Sequence, residues 1–273
     1  MIGRRLVNGV EGAGVAADDR GLQYGDGLFE TMAAVDGSIR HFELHMVRLA
    51  DGCRRLEIPM PDVAQIAADC QRVLEGLGSA TVKLIVTRGA GPRSYAPPED
   101  PSVTRIVMTA SSHLHDSAAA RPVVARVCRT RLALNEQFAG MKHLNRLEQV
   151  MAAAELRGSG ADEGLMLAMD GRLVCATSSN LFLVRNGLLL TPMIRDCGVA
   201  GIMRQVVLHA ADELGIPVEV GDLELDDLAA ADEVFLTNAV RGIRSVFAVA
   251  GIGKFAPGEV TQRLCVQLAP NPA

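Results

Sequence analysis

Residues 111–121, SSHLHDSAAAR, interrupt a chain that otherwise alternates strand-like and helix-like patterns. A stretch with no hydrophobic periodicity cannot bury a face, so it divides what lies on either side. At 273 residues the chain can build two modest domains, each with its own core. We therefore expect an N-terminal α/β domain over 1–113, a linker over 114–121 and a C-terminal α/β domain over 122–273.

Turn signals organise the first half. Asn8-Gly9 follows a short strand, and Asp36-Gly37 splits residues 28–42 into two strands, the pattern of a tight hairpin. Leu44, Val47, Ala50 and Leu56 predict an amphipathic helix over 43–56. Asp62 is a suitable N-cap for a second helix, over about 62–77. TVKLIVTRG (81–89) and SVTRIVMTA (102–110) read as paired strands joined by a Gly/Pro-rich loop. The second half predicts a strand over 122–130, a helix after Lys142 and short strands from 164 to 190. It goes on with a helix over 201–214 and strands over 217–221 and 232–240. Helices and strands mix without strict βαβ alternation, so the class is mixed α+β. GAG at 12–14 and 89–91 lacks the glycine spacing of a dinucleotide-binding turn.

A net charge of −5 argues against a general nucleic-acid surface but leaves room for a local anion site. No apolar run is long enough to cross a bilayer, and no apolar signal core follows the basic pair near the N-terminus. Six scattered cysteines without a CxxC pair point to reduced thiols in a cytoplasmic protein and against a zinc site.

Of 27 basic side chains three are lysines: Lys83, Lys142 and Lys254. Lys83 alternates with apolar residues in a strand, and Lys254 lies in a glycine-rich turn. Lys142 sits in GMKHLNRLEQV, between apolar Met141 and Leu144. Asn145 and Glu148 have the spacing of a capping box, which predicts a helix from about Arg146 with Leu147, Val150, Met151 and Ala154 on its apolar stripe. A lysine on so short a connection is held in place, and partial desolvation favours the neutral amine that attacks a carbonyl. A solvated surface lysine fits the same residues. Arg48 on the first helix, and the glycines of GVAGIMRQ ahead of the 201–214 helix, offer a guanidinium and free N–H groups to an anion.

RGLQYGDGLFET (20–31), HMVRL (45–49), TRGAGPRSY (87–95), GMKHLNRLEQ (140–149), SNLF (179–182) and GIMRQ (201–205), taken in order, resemble the fold-type IV pyridoxal-phosphate family and, within it, the aminodeoxychorismate lyases. The resemblance implies two domains with the cofactor site at their interface, and a homodimer. Lys142 would bind pyridoxal 5'-phosphate covalently, with Arg48, the amides of Ile202 and Met203, and Asn238 and Ala239 around the cofactor. Tyr24, Arg93 and Tyr95 would meet the substrate, and His143, next to the lysine, would support the site from behind or be structural rather than catalytic. The implied reaction is conversion of 4-amino-4-deoxychorismate to 4-aminobenzoate and pyruvate, a step of folate synthesis. A D-amino-acid or branched-chain aminotransferase, or a cofactor-binding protein without turnover, are the alternatives. One position departs from the family: Cys175 stands where most relatives carry the glutamate that pairs with the pyridine nitrogen. A neutral thiol cannot hold that nitrogen protonated, which favours a lyase over a transaminase.

Overall fold

Hairpin chemistry builds the first sheet. The computed structural model describes residues 2–92, 94–111 and 123–269. Asn8-Gly9 and Asp36-Gly37 all adopt positive φ, which matches the twist of the strands they connect. They join β1 (Ile2–Val7) to β2 (Val10–Glu11) and, after the short helix α1 (Arg20–Tyr24), β3 (Gly27–Val35) to β4 (Ser38–Ile39). Helices α2 (Phe42–Leu56) and α3 (Val63–Leu74) follow, then strands β5 (Ser79–Thr87) and β6 (Thr104–Ser111). The six strands lie in the order β2-β1-β6-β5-β3-β4, every pair antiparallel. Met32, Val82, Leu84, Val86 and Val107 form a core with Met46, Leu49 and Cys53 of α2 and Ile66, Cys70 and Val73 of α3. Asp62 accepts from Ala64 N and starts α3 as expected.

The predicted face of α2 is rotated. Val47 and Ala50 are exposed, and His45, Met46, Leu49, Gly52 and Cys53 are buried. The cause is Glu30, a buried carboxylate on β3. A buried charge needs a partner, and His45 and Arg48 of α2 supply it.

The second unit contains β7 (Val123–Val127), α4 (Leu147–Ala154), β8 (Glu163–Leu167), β9 (Leu173–Ala176), β10 (Asn180–Arg185), β11 (Leu188–Pro192), α5 (Ile202–Glu213), β12 (Val218–Gly221), α6 (Leu225–Ala229), β13 (Glu233–Asn238), β14 (Gly242–Val249), β15 (Gly253–Lys254) and α7 (Glu259–Gln267). Its sheet runs β12-β11-β10-β13-β14-β7-β8-β9, with β15 beside β14. β11/β12, β14/β7 and β7/β8 pair in parallel and the rest antiparallel. Side chains alternate across a strand, and here both faces are covered. Leu181, Leu183, Val234 and Leu236 join one apolar cluster, while Phe182, Val184 and Phe235 join another with α5 and α7. The Phe182 and Phe235 rings stack with centroids 4.9 Å apart. That two-sided burial explains the unbroken apolar runs NLFLV and VFLT.

Two expectations need correction. Contacts divide the chain into 1–114 with 141–145, and 115–140 with 146–273. Lys142 therefore packs with the first unit, not with the second half to which its sequence position assigned it. Backbone bonds account for this: Phe29 N donates to Lys142 O and Leu144 N to Gly27 O, so 141–145 lie along β3. The capping box is also not formed. Helix α4 begins at Leu147 without a side-chain cap; Asn145 Nδ2 donates to Gly25 O, and Glu148 accepts from Ala133 N. Long-range partners take both capping groups. Leu147, Val150 and Met151 of the predicted stripe are 78%, 59% and 60% exposed, and the buried residue of α4 is Ala152. The linker over 114–121 lies outside the described residues.

Candidate active site

In the first unit, Lys142 is half-buried between β3 and the buried side chain of Met141. Its Nζ lies 4.3 Å from the centroid of the Phe29 ring. The aromatic face attracts a cation and excludes water on that side. Lys83 Nζ approaches the same ring, at 5.1 Å. Lys83 read as an ordinary strand residue in the sequence; the cross-strand register of β3 and β5, with Thr31 opposite Lys83 and Phe29 opposite Ile85, puts it on the Phe29 face.

Arg48 is held by an acid that sequence reasoning passed over. Its Nε donates to Glu30 Oε1 at 2.8 Å and its Nη2 to Glu30 Oε2, while His45 Nδ1 lies 2.6 Å from that second oxygen. Burial pushes the Glu30 carboxyl up, but the His45 and Arg48 hydrogen bonds and charges outweigh it and hold the group below its ordinary range. The signal was present in LFET: an acid on the buried face of an alternating strand demands a cation nearby.

Tyr24 and Tyr95, widely separated in sequence, come together with ring centroids 5.5 Å apart. Arg93 lies outside the described residues.

In the second unit, Gly201 precedes α5 with φ −70° and ψ 141°, no side chain caps the helix start, and no acid lies in its first turn. The N–H groups of Ile202 and Met203 are the first of the helix and point where an anion binds best. A Cβ on Gly201 would collide with Asn180 Oδ1. Asn180 in turn donates to Val199 O at 2.9 Å, fixing the turn. Gly140 N donates to Gly198 O and Ala200 N to Gly140 O, so the strand leading to the lysine pairs with this element. Arg204, in the first turn, is partly buried, and burial pushes its guanidinium below the ordinary arginine range. Asn238 Oδ1 accepts from Val240 N and Arg241 N, which shapes the turn carrying Ala239, while its Nδ2 donates to Ser179 Oγ at 3.1 Å. Cys175, on β9, is buried, and burial pushes its thiol up to about 12. It is neutral at every physiological pH.

These residues fit a phosphorylated aldehyde. The helix start lacks an anionic cap, glycine leaves the approach open, an oriented guanidinium is present, and the ε-amine sits against an aromatic ring. Cys175 offers a neutral thiol, which cannot pair with a protonated ring nitrogen as a carboxylate would.

A family model for amino-transferase class IV matches residues 27–249. The chain belongs to the class IV aminotransferase family. Members of this family similar to it include the aminodeoxychorismate lyase of Vibrio harveyi, 35% identical over 94% of this chain and 97% of that protein. A putative branched-chain-amino-acid aminotransferase of Methanocaldococcus jannaschii is 34% identical over 92% and 89%. Among solved structures, 4-amino-4-deoxychorismate lyase from Pseudomonas aeruginosa superposes with a TM-score of 0.89 at 44% identity, covering 97% of both chains. The branched-chain amino acid aminotransferase of Escherichia coli gives 0.87 at 26% identity over 97% and 92%. The class IV fold is thus the mixed α+β architecture expected from the sequence.

Proposed function

We propose that the protein is a pyridoxal-phosphate-dependent lyase that converts 4-amino-4-deoxychorismate to 4-aminobenzoate and pyruvate. The observation that carries the reading is Lys142, fixed by backbone bonds along β3 and set against Phe29. The high identity to lyases over nearly the whole chain supports the choice of reaction.

Lys142 would hold the cofactor through its ε-amine, and in its neutral form would move protons. Arg48, oriented by Glu30, and the amides of Ile202 and Met203 grip the phosphate, and Asn238 and Ala239 shape the turn beside it. Pyridoxal phosphate supplies an electron-accepting ring conjugated to the substrate amine. Lys142 takes the proton from the substrate ring carbon and returns one to the enolpyruvyl group as its C–O bond breaks and pyruvate leaves. The new aromatic ring supplies driving force, so the weaker pull of a cofactor ring beside neutral Cys175 suffices. The substrate is a dicarboxylate: Arg93, Tyr24 and Tyr95 are proposed to receive it, and Lys83 adds a second ammonium against Phe29.

The reading includes a homodimer in the cytoplasm. The exposed apolar face of α4 gives a second copy something to bury, and six free thiols suit a reducing compartment. No described helix is long and apolar enough to cross a membrane.

The test is release of 4-aminobenzoate from aminodeoxychorismate by the purified protein, with borohydride reduction and peptide mapping of the modified lysine. Label at Lys142 and product formation are expected; Lys142→Ala should lower the rate by at least about 100-fold. Product formation without label at Lys142 would overturn the site. Keto-acid production from D-alanine or leucine without 4-aminobenzoate would instead select the aminotransferase reading. Cys175→Glu should raise half-transamination of the bound cofactor; no gain would sink the role given to the thiol.

A further inference from the structure

Tyr24 and Tyr95 are brought together by a buried arginine to which nothing above assigns a role. Arg20 is 4% exposed. Its Nε donates to Asp26 Oδ2 at 2.9 Å. Its Nη1 donates to Ser94 O at 2.7 Å and reaches Ala96 O at 3.4 Å, and its Nη2 donates to Tyr95 O at 3.0 Å. One guanidinium therefore reads three consecutive carbonyls of the loop after β5. Arg20 Cζ also stands 4.9 Å from the centroid of the Tyr24 ring. Gly91 leaves it room: a Cβ there would come within 2.9 Å of Arg20 Cδ.

The anchor beneath is itself rigid. Asp26 takes Arg88 as well, through Nε at 2.8 Å and Nη2 at 3.1 Å, and Arg88 caps the carbonyls of Leu56 and Glu57 at the end of α2. Burial opposes ionisation of Asp26, but the hydrogen bonds and charges of Arg88 and Arg20 hold its carboxyl below the ordinary range. Arg20 N donates to Gly89 O and Gly91 N to Asp18 O, which ties the start of the loop to α1.

The result is an unusual division. The backbone at Tyr95 is fixed by a buried charge, while the Tyr95 side chain is 87% exposed. A loop that served only as a connection would satisfy its carbonyls with water at no desolvation cost. Fixing the backbone under an exposed aromatic pre-sets the direction of that aromatic, which lowers the ordering cost of binding. We propose that Arg20 is a positioning residue that presents Tyr24 and Tyr95 to the substrate. This rests on the reading in which those tyrosines meet the substrate. Only a planar fork serves three carbonyls and a carboxylate together; a lysine ammonium keeps the charge and loses the geometry.

The protein has two tyrosines and no tryptophan, so its intrinsic fluorescence reports this cluster alone. The experiment compares the holoenzyme with Arg20→Lys, Tyr95→Ala and the double variant. In Arg20→Lys, tyrosine anisotropy should fall, and KM for aminodeoxychorismate should rise about tenfold, with kcat changed far less and cofactor retention unaltered. Tyr95→Ala should raise KM similarly, and Arg20→Lys should add nothing on that background. Unchanged anisotropy in Arg20→Lys, equal falls of kcat and cofactor retention, or a full extra KM effect in the double variant would each overturn the proposal. A wild-type protein that forms no 4-aminobenzoate would overturn the substrate reading, while the anisotropy comparison would still decide whether Arg20 sets the tyrosines.

Discussion

The two units satisfy their buried carboxylates in different ways, with partly buried Asp196 of the second, which pairs with Arg172, as an exception. In the first, the buried carboxylates Glu30 and Asp69 meet Arg48, His45 and Arg105, and partly buried Asp26 meets Arg20 and Arg88. Asp19 is the exception, taking Gly21 N–H and the Thr87 hydroxyl. In the second, buried Glu163 takes the Thr177 and Ser178 hydroxyls, and buried Glu233 takes the N–H groups of Val260 and Thr261 at the start of α7. Of the proposed cofactor residues, Lys142 and Arg48 in the first unit offer side-chain charges, and Ile202 and Met203 in the second offer backbone amides. Charges joined in pairs fail when one member is removed. Backbone sites fail when their space is filled.

The largest expected effect lies in the first unit. Glu30→Gln leaves Arg48 and His45 without their carboxylate and should cost about 3–5 kcal/mol of unfolding free energy. Denaturant melts of the two proteins measure it; a loss within experimental error would remove the basis of the contrast. In the second unit, Gly201→Ala keeps an allowed backbone, because φ is −70°, so its cost is purely that of crowding Asn180. Overpacking of this kind costs about 1–3 kcal/mol. It should appear as a weaker affinity for pyridoxal phosphate with little change for unphosphorylated pyridoxal. Equal weakening of both would mean that the helix start does not hold the phosphate.

Acid sharpens the comparison. The folded Asp26 carboxyl titrates below its ordinary value of 3.8. The stability it contributes is complete above that value and is lost as pH falls through the folded pKa. Asp26→Asn should therefore be less stable than wild type at neutral pH, with the gap closing in strong acid; a gap independent of pH would contradict the ion-pair account. The smallest effect on folding is expected at α4. Met151→Glu changes an exposed side chain and should alter unfolding by no more than about 0.5 kcal/mol. For the proposed homodimer, sedimentation should nonetheless show a shift toward monomer, and unchanged sedimentation would remove α4 as the contact.

Much of the fold was legible because its causes are local. Asn-Gly and Asp-Gly turns, the Asp62 cap and the apolar runs of β10 and β13 act within a few residues. The errors arose where a distant group competed for a local one. Glu30 turned α2 so that His45 replaced Val47 inside. Gly25 and Ala133 drew away the side chains that would have boxed α4. β14 and α7 escaped notice because their patterns are half exposed. Lys142, Arg48, Cys175 and the Ile202–Met203 amides were singled out as candidates by motif, resemblance and residue chemistry. The partners of Glu30, Lys83 and Arg20 were not legible, since nothing in a linear string pairs residue 30 with 48, 83 with 29, or 20 with 95, even though the LFET pattern marks Glu30 as an acid in need of a cation.

By itself, then, the order of residues determined the turn chemistry and most element types, and it singled out Lys142 and the glycines before α5 as candidates to serve a phosphorylated aldehyde. Only the tertiary structure decided which unit holds that amine, which carboxylate aims the arginine and which guanidinium clasps the tyrosine loop. The physical reason is range. Turns and caps are settled by torsions and hydrogen bonds between near neighbours, whereas a buried charge takes whatever partner the folded chain brings within reach.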